Sequence, residues 1–405
     1  MANGCPIAVT GIGVVSPIGL GRQQFWTALC NGQSGIAPIE AFPVPPGAPR
    51  LGAEVRGLAA REFIASAHLR RMDKLSRMVV AAARMALDDA GVVLARVQPE
   101  TMGVVIGSAL GDLSESAVQL ERVFTKGAAS ASPMTFPNLV LNAPASYVAM
   151  EFGLTGVNLT VAQGETSGEQ AIILGCELVR AGRANLVLAG GGDELAAIVC
   201  EVYRRAHALS SQRGGAEWSS PYDVARNGIV LGEGAAILVL ESPARARARG
   251  AAILAEIEGY TSFGVPAPAH DWPAAARAAV APLGRLLDGA GVDVVCGTAN
   301  SSRRLDACEV DLFGHLLEAQ VGGAWVTSIK GAVGEFGAAG ALSAAAACLA
   351  LREQRVPPLC HLRVPEPSAV LRFAAGRGEP RPLSRALLCG LSRGGATAAL
   401  LLRKG

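Results

Sequence analysis

The feature that most constrains the fold is a regular alternation of short apolar segments with longer segments of helical periodicity. Strands are predicted at residues 6–15, 101–107, 159–162 and 186–189. Residues 69–90 place apolar side chains three and four positions apart, which predicts an amphipathic helix, and a second helix is predicted at residues 167–182. The segment 159–162 is apolar enough to predict a buried strand. This alternation is typical of an α/β protein.

The same alternation continues in the second part of the chain. Strands are predicted at residues 292–296, 324–328 and 386–390, with an alanine-rich helix at 338–351. The segments 186–193 and 386–395 resemble each other, because each is an apolar strand that runs into a glycine cluster. We therefore divide the chain into two regions, residues 1–250 and 251–405.

Composition excludes several classes of partner. Half of the 405 residues are hydrophobic, and 36 basic and 34 acidic residues are mixed along the chain to a net charge of +2. No long-range field attracts a polyanion, so we expect no nucleic-acid partner. No apolar stretch of about 18 residues and no signal-peptide pattern occurs. We therefore expect no membrane partner and a cytoplasmic location.

The cysteines do not predict a metal centre. There are nine, an odd number, and they are widely spaced, mostly within apolar segments, with no Cys-x-x-Cys pair. This pattern is typical of reduced core thiols rather than of disulfides or a zinc site. We expect no metal and no cofactor.

Three short frames hold the residues of greatest chemical interest. Glu165 lies in Gly-Glu-Thr-Ser-Gly at the start of a helix, Cys296 precedes Gly-Thr, and Glu335 lies in Lys-Gly-Ala-Val-Gly-Glu-Phe-Gly. Further frames are Asn142-Ala143-Pro144-Ala145, Pro221-Tyr222-Asp223, Gly232-Glu233-Gly234-Ala235 and Gly394-Gly395. In order and spacing, these frames resemble the motifs of the β-ketoacyl synthases of the thiolase superfamily.

This resemblance implies a fold and an assembly. The thiolase fold is a five-layered αβαβα arrangement of two similar halves. The resemblance also implies an obligate dimer, in which the strand at residues 159–162 pairs with its counterpart in the partner subunit. In the family, the three frames carry a cysteine nucleophile and two histidines, whereas this sequence has Glu165, Cys296 and Glu335.

These substitutions predict that ordinary condensation fails. A thiolate at a helix N-terminus accepts the acyl chain, and the histidines stabilise the enolate formed by decarboxylation. Glu165 instead places negative charge where the oxyanion must develop, and Glu335 adds an anion beside an anionic malonyl group. Cys296 is a weaker hydrogen-bond donor than histidine. The expected degenerate active site comprises Glu165, Cys296, Glu335, Lys330 and Arg393.

Two sets of ionic contacts are predicted. Arg393 falls at or beside the position of a gating phenylalanine in the family, and two buried carboxylates require a cation nearby. We therefore expect a network of Glu165, Glu335 and Arg393. In the family, the lysine at position 330 pairs with an acid downstream of the second frame. This predicts a structural ion pair between Lys330 and Glu309, with Asp306 close by.

Within the family, one subgroup has lost the cysteine and acts with an active synthase. The sequence resembles this subgroup, the chain length factors or β subunits of type II polyketide synthases. The resemblance implies an active ketosynthase partner, an acyl carrier protein that brings the growing chain, and a shared tunnel. A polyene product is slightly favoured over an aromatic one. Expected tunnel and interface residues are Ser116, Gln119, Leu120, Val123, Phe124, Met134 and Phe136.

Two alternatives remain open. In the first, the chain is a different acyltransferase or hydrolase, with Cys296 as the nucleophile and Glu335 as its base. In the second, the chain is a homodimeric scaffold or binding protein without a synthase partner.

Overall fold

The computed structural model describes residues 5–268 and 272–405. The strands are β1 (Ile7–Ser16), β2 (Gly19–Leu20), β3 (Ile36–Pro38), β4 (Leu51–Ala53), β5 (Met102–Gly107), β6 (Asn158–Val161), β7 (Leu186–Asp193), β8 (Leu231–Gly232), β9 (Gly234–Glu241), β10 (Ala255–Gly264), β11 (Val294–Cys296), β12 (Ala324–Thr327), β13 (Arg355–Val356), β14 (Leu371–Phe373), β15 (Glu379–Pro380), β16 (Arg385–Leu391) and β17 (Ala396–Lys404). The helices are α1 (Gly21–Cys30), α2 (Ser66–Leu69), α3 (Lys74–Asp89), α4 (Leu113–Lys126), α5 (Ala143–Phe152), α6 (Ser167–Arg180), α7 (Ala197–Arg205), α8 (Pro243–Ala248), α9 (Trp272–Leu287), α10 (Arg303–Leu316), α11 (Lys330–Val333) and α12 (Ala339–Glu353).

The main sheet contains the same strand arrangement twice. Its first half has the order β1-β9-β7-β5-β6, and its second half has the order β10-β17-β16-β11-β12, with β14 added at the edge. In each half the first three strands pair antiparallel and the last three pair parallel. The strands whose sequences resemble each other, β7 and β16, occupy equivalent places. The predicted α/β architecture of two similar halves is confirmed.

The helices form three layers around the two halves of the sheet. α3 and α5 pack together on the outer side of the first half, and α9 and α10 pack together outside the second half. α6 and α12 contact each other between the two halves, within the largest hydrophobic core. The halves pair directly where β1 meets β10, at Ile7–Val9 and Ala255–Ile257. The order of layers is therefore αβαβα.

Two details differ from the sequence-based expectations. The predicted helix at residues 69–90 is interrupted, because Asp73 accepts a 2.6 Å hydrogen bond from the Ser76 amide and begins α3 as its N-cap. The strand β6 is not buried as predicted. It lies at the edge of the main sheet, pairs with β5, and leaves the Leu159 side chain 38% exposed.

Close packing of α3 on β1 depends on a glycine. A Cβ atom at Gly13 would lie 1.8 Å from the Ala82 carbonyl oxygen and 2.5 Å from the Ala86 nitrogen. Backbone atoms in a packed layer have little freedom to move away. Only glycine fits between this strand and this helix.

We expect Gly13→Ala to lower the free energy of unfolding by about 3 kcal/mol, because the added methyl group must displace α3 from the sheet. Denaturant unfolding followed by circular dichroism measures this loss. Gly264→Ala in β10 is the matched control, since a Cβ atom there has no neighbour within 4 Å. Equal stability of the two variants would contradict the packing argument.

Candidate functional site

Glu165 lies in a tight turn that leads into α6. Gly164 has a φ of +56°, a region that favours glycine, and a 3₁₀ turn at Gly164–Thr166 precedes the helix. The Ser167 hydroxyl donates a 2.7 Å hydrogen bond to the Gly164 carbonyl and accepts a 2.9 Å bond from the Gln163 amide. The turn therefore holds residue 165 at a helix N-terminus, a position that favours negative charge.

Both oxygens of the Glu165 carboxylate accept hydrogen bonds from the segment that follows β16. The Ser392 hydroxyl donates to Oε2 at 2.6 Å, and Arg393 Nε donates to Oε1 at 2.5 Å. The Glu165 side chain is 14% exposed. Burial alone would raise the pKa of this carboxyl, but Arg393 and Ser392 outweigh burial and lower it. The predicted contact between Arg393 and Glu165 is present.

Arg393 is fixed in turn by Tyr203 of α7. Its guanidinium carbon lies 4.9 Å from the centre of the Tyr203 ring, and the guanidinium donates to the tyrosine hydroxyl. Burial, partly offset by Arg393, raises the pKa of Tyr203. Glu165, Arg393 and Tyr203 therefore form a chain of contacts across the turn.

Glu335 has different partners from those predicted. Lys330 Nζ lies 2.9 Å from Oε2 and 3.1 Å from Oε1 of Glu335, and Asn300 Nδ2 donates to Oε2 at 2.7 Å. Lys330 Nζ also donates to the Thr298 hydroxyl at 2.8 Å. Both ends of the ion pair are buried. Glu335 is therefore neutralised by Lys330, and the expectation that it shares Arg393 is wrong.

The predicted ion pair between Lys330 and Glu309 is also wrong. Glu309 accepts hydrogen bonds from the amides of Thr298 and Ala299, each at 2.8 Å, and from the Tyr222 hydroxyl at 2.6 Å. These donors satisfy its oxygens without a cation. The short distance along the chain between Lys330 and Glu335, across one helical turn, brings those two side chains together instead.

Asp306 holds the same loop from the other side. Its carboxylate accepts hydrogen bonds from the amides of Tyr222 at 2.9 Å, Asn300 at 3.0 Å and Ser301 at 3.2 Å. Burial raises the pKa of Asp306 to about 6 and that of Glu309 to about 7. The two acids support the backbone that presents Thr298 and Asn300 to the site.

Cys296 is a core residue. It ends β11, is 3% exposed, and belongs to the hydrophobic core between the two halves of the sheet. Burial raises the pKa of its thiol to about 12. A thiol with this pKa is almost entirely protonated at neutral pH and is a poor nucleophile.

A cleft of about 310 Å³ opens above these contacts. Its described lining includes Glu165, Tyr203, Asn300, Lys330, Glu335 and Arg393, but not Cys296. Its rim carries the exposed side chains of His207, Arg213, Arg303 and Arg304. The structure therefore brings four of the five predicted site residues to one cleft and places Cys296 behind it.

Sequence reasoning did not identify Glu169, one turn into α6 beyond Glu165. This carboxyl is 2% exposed, and its Oε2 has no hydrogen-bond partner. It occupies space left by Gly340 and Gly390, where added Cβ atoms would lie 1.9 Å and 2.4 Å from its oxygens. Burial raises its pKa to about 7. An acidic residue within an apolar helical stretch was the available signal.

The predicted tunnel residues lie away from this cleft, on α4 and the segment after it. Gln119 is buried, and its Oε1 accepts a 3.1 Å hydrogen bond from the Ser132 amide. Its Nε2 contacts the Thr135 hydroxyl. Ser116 donates to the Asp112 carbonyl at 2.6 Å, and Val123 is partly exposed. The remaining four are exposed apolar side chains: Leu120, Phe124, Met134 and Phe136.

Comparison with known proteins identifies the family. The model of the β-ketoacyl synthase N-terminal domain matches residues 5–246, and that of the C-terminal domain matches residues 254–363. The chain belongs to the β-ketoacyl synthase family. This synthase-family chain is 30% identical to the 3-oxoacyl-[acyl-carrier-protein] synthase 2 of Synechocystis sp., covering 98% of each chain. It is 32% identical to a putative polyketide β-ketoacyl synthase 1 of Streptomyces virginiae, covering 98% of this chain and 97% of that one.

Two solved structures of polyketide synthase proteins are similar to the synthase chain. The structure described as "The ishigamide ketosynthase/chain length factor" superposes with a TM-score of 0.90, at 27% identity over 99% of each chain. A type II polyketide synthase ketosynthase solved with its acyl-carrier protein gives a TM-score of 0.89, at 26% identity over 99% of this chain and all of that one. The thiolase-type fold predicted from the sequence frames is confirmed.

No helix among the described residues has the length and apolar character needed to cross a membrane.

We expect Arg393→Gln in this synthase chain to lower the free energy of unfolding by about 1–2 kcal/mol at pH 7. The variant leaves the Glu165 carboxylate without its cation, although the half-exposed arginine is partly screened by solvent. Because Arg393 lowers the pKa of Glu165, the loss is complete above the ordinary pKa of a glutamate and disappears as the pH falls through the lowered value.

Denaturant unfolding at pH 7 and pH 3 measures this effect. Adding Glu165→Gln to Arg393→Gln should recover most of the loss, because no charge then remains to be paired. Arg205→Gln, which breaks an exposed pair with Glu201, should change stability by less than about 0.5 kcal/mol. A loss for Arg393→Gln that is independent of pH would disprove the assignment.

Proposed function

We propose that this chain is the non-catalytic β subunit, or chain length factor, of a type II polyketide synthase. In this proposal it pairs with an active ketosynthase subunit and shapes part of the tunnel that receives the growing chain. The observation that carries the proposal is the state of Glu165. At the turn where the family resemblance expects a cysteine nucleophile, its carboxylate is held by Ser392 and Arg393.

The contacts in the cleft favour a structural role for these carboxylates over a catalytic one. Glu165 is paired with Arg393 and Glu335 is paired with Lys330, so neither carboxylate is a free base. Anions at these two places oppose the negative charge that develops during acyl transfer and decarboxylation. A cleft lined by paired charges can persist in a subunit whose partner carries out the reaction.

An exposed apolar surface supports a subunit role. We define the α4–β6 face as the exposed large apolar side chains from the segment before α4 to the strand β6. They are Leu110, Val118, Leu120, Phe124, Met134, Phe136, Val140, Leu141, Met150 and Leu159. An accumulation of exposed apolar side chains in one region of the chain supports a protein interface there.

The strand β6 offers this face an edge at which a partner strand can pair. β6 pairs with β5 on one side and is an end strand of the main sheet. An unpaired strand edge with apolar side chains is a template for a further strand. We therefore assign the α4–β6 face to the ketosynthase partner, with β6 as the pairing edge.

The comparisons support the partner class. One similar solved structure is described as a ketosynthase/chain length factor, and another as a ketosynthase in complex with a type II acyl-carrier protein. By analogy we propose that the acyl carrier protein brings the chain to the assembled pair. A polyene rather than an aromatic product stays a prediction.

Reconstitution tests the proposed pairing. The chain is co-expressed with a ketosynthase subunit that retains the Cys, His, His set, the product of an adjacent synthase gene being the first choice. We expect a stable heterodimer by analytical ultracentrifugation, and condensation of malonyl units that neither subunit performs alone. A self-sufficient homodimer that ignores the ketosynthase would instead support the scaffold alternative.

Leu120→Asp should weaken this heterodimer at least tenfold, because it places a charge among the exposed apolar side chains of the α4–β6 face. Val321→Asp is the matched control, since Val321 is fully exposed on a loop outside this face. The dissociation constant, measured by sedimentation or interferometry, distinguishes the two. Equal weakening by both variants would remove α4 from the interface.

Tunnel shape can be tested separately from assembly. Phe124 is 83% exposed in the isolated chain, and Gln119 fastens α4 to the segment that carries Met134. We expect Phe124→Ala and Gln119→Ala to shift the distribution of product lengths in the reconstituted pair. Mass spectrometry of the products measures the shift, with Val321→Ala as control. Unchanged products with an intact heterodimer would exclude these two residues from the gate.

Acylation of Cys296 tests the remaining alternative. A buried thiol with a pKa raised to about 12 should form no adduct with an acyl carrier protein loaded with a malonyl or acetyl group. Intact-protein mass spectrometry of the wild type and of Cys296→Ser detects such an adduct. An acyl group present in the wild type and absent in the variant would favour the acyltransferase alternative.

A further inference from the structure

The cleft above Glu165 has more cationic than acidic side chains in its described lining. Its two carboxylates are each paired with one cation, Glu165 with Arg393 and Glu335 with Lys330. Further arginines lie at the rim. The inner part of the cleft is therefore neutralised, and its excess positive charge lies at the mouth.

Three arginines at the mouth have no carboxylate partner among the residues that the structure describes. They are Arg213, in the loop after α7, and Arg303 and Arg304, in the first turn of α10. All three side chains are exposed. The whole chain has a net charge of only +2, so three unpaired cations around one cleft concentrate positive charge there.

Arg303 is held in place by a buried neighbour. Its Nε donates a 3.1 Å hydrogen bond to the Arg226 carbonyl, and Arg226 donates a 2.8 Å hydrogen bond to the Arg303 carbonyl. Arg226 is 3% exposed and forms an ion pair with Glu366. These bonds occupy the Nε of Arg303, and its two terminal nitrogens are left for a ligand.

The loop that carries Arg213 is fastened by Asn227, which also lines the cleft. Asn227 Nδ2 donates to the carbonyls of Gly214 at 3.1 Å and Ala216 at 2.8 Å. Its Oδ1 accepts a 2.6 Å hydrogen bond from the Ser210 hydroxyl. The arginine therefore lies on a segment that is ordered without a ligand, which lowers the entropic cost of binding one.

We propose that the mouth of this cleft binds a diphosphate group, carried either by inorganic diphosphate or by a nucleoside diphosphate. Guanidinium groups suit phosphate because their planar N–H groups can bind two oxygens at once. A phosphodiester carries one negative charge, whereas a diphosphate carries two or more and better matches three unpaired arginines. The cleft volume of about 310 Å³ lies at the lower end of the range of about 300–1,000 Å³ found for small-molecule sites.

The apolar part of the lining can accommodate the rest of an esterified ligand. Ile229, Trp272 and Leu391 lie in the same cleft as the three arginines. Aromatic side chains stack on nucleobases, so a base against Trp272 would add to the affinity of a nucleoside diphosphate. The site does not depend on the proposed subunit role, because all of these residues belong to this chain.

Isothermal titration calorimetry of the full-length chain tests this site. The probes are inorganic diphosphate, ADP and dimethyl phosphate, in buffers depleted of divalent cations. We expect one diphosphate per chain, bound at least about tenfold more tightly than dimethyl phosphate. Its affinity should fall as NaCl rises from about 50 to 300 mM, because exposed charges are screened. Tighter binding of ADP would identify the nucleoside diphosphate as the source, and equal affinity would identify the diphosphate group alone.

Substitution of two of the arginines locates the site. Arg213→Gln combined with Arg304→Gln should weaken diphosphate binding about tenfold, because each exposed charge pair contributes a few-fold. Both side chains are exposed, so this variant should unfold at the same temperature as the wild type. The matched control combines Arg122→Gln with Arg285→Gln, which removes the same charge from exposed positions outside the cleft lining. The control should bind diphosphate as the wild type does.

Failure of the wild type to bind diphosphate at millimolar concentration would overturn the proposal. So would equal weakening by the cleft variant and the control, since net charge alone would then attract the ligand. Equal affinity for dimethyl phosphate and diphosphate would overturn the assignment of a diphosphate. These measurements use the chain without a ketosynthase, so their outcome is independent of the heterodimer test.

Discussion

The whole architecture depends on how closely two helices approach between the two halves of the sheet. Residues 339–351 of α12 are all buried, and most are alanine or glycine. On α6, a Cβ atom at Gly168 would lie 2.5 Å from the Ala341 nitrogen. Small side chains let the two backbones meet in a layer that has a sheet on either side. This approach brings the turn before α6 and the turn before α12 to the same cleft, and with them Glu165 and Glu335.

Several buried acids of this chain are stabilised in three different ways. Glu165 and Glu335 have cationic partners, whereas Glu309 and Asp306 accept hydrogen bonds from backbone amides and from Tyr222. Glu169 has an unpartnered oxygen and a raised pKa, so it is neutral below about pH 7. Unpaired ionised carboxylates would each be costly, and every arrangement avoids that cost.

The sequence was informative where one rule decided the outcome. Apolar runs marked the central strands, and the need of a buried Glu165 for a cation pointed to Arg393. It was misleading where several partners competed. Glu309 was a plausible partner for Lys330 until the amides of Thr298 and Ala299 and the Tyr222 hydroxyl were seen to satisfy it. The hydrogen bond from the Ser114 amide to Glu194 joins distant parts of the chain and has no local pattern. The apolar composition of β6 predicts a buried strand. Composition alone does not distinguish a strand covered by protein from one that faces solvent.

The free edge of β6 has a consequence for how the cell must handle this chain. A newly made copy presents an unpaired strand beside a broad apolar face, and other unpaired copies offer the same edge in return. Under the proposed pairing, the solubility of the chain depends on the supply of its partner, through mass action, as well as on its own folding free energy. The pairing would then make balanced synthesis of the two polypeptides part of the molecule's stability, with excess copies as substrates for chaperones and proteases.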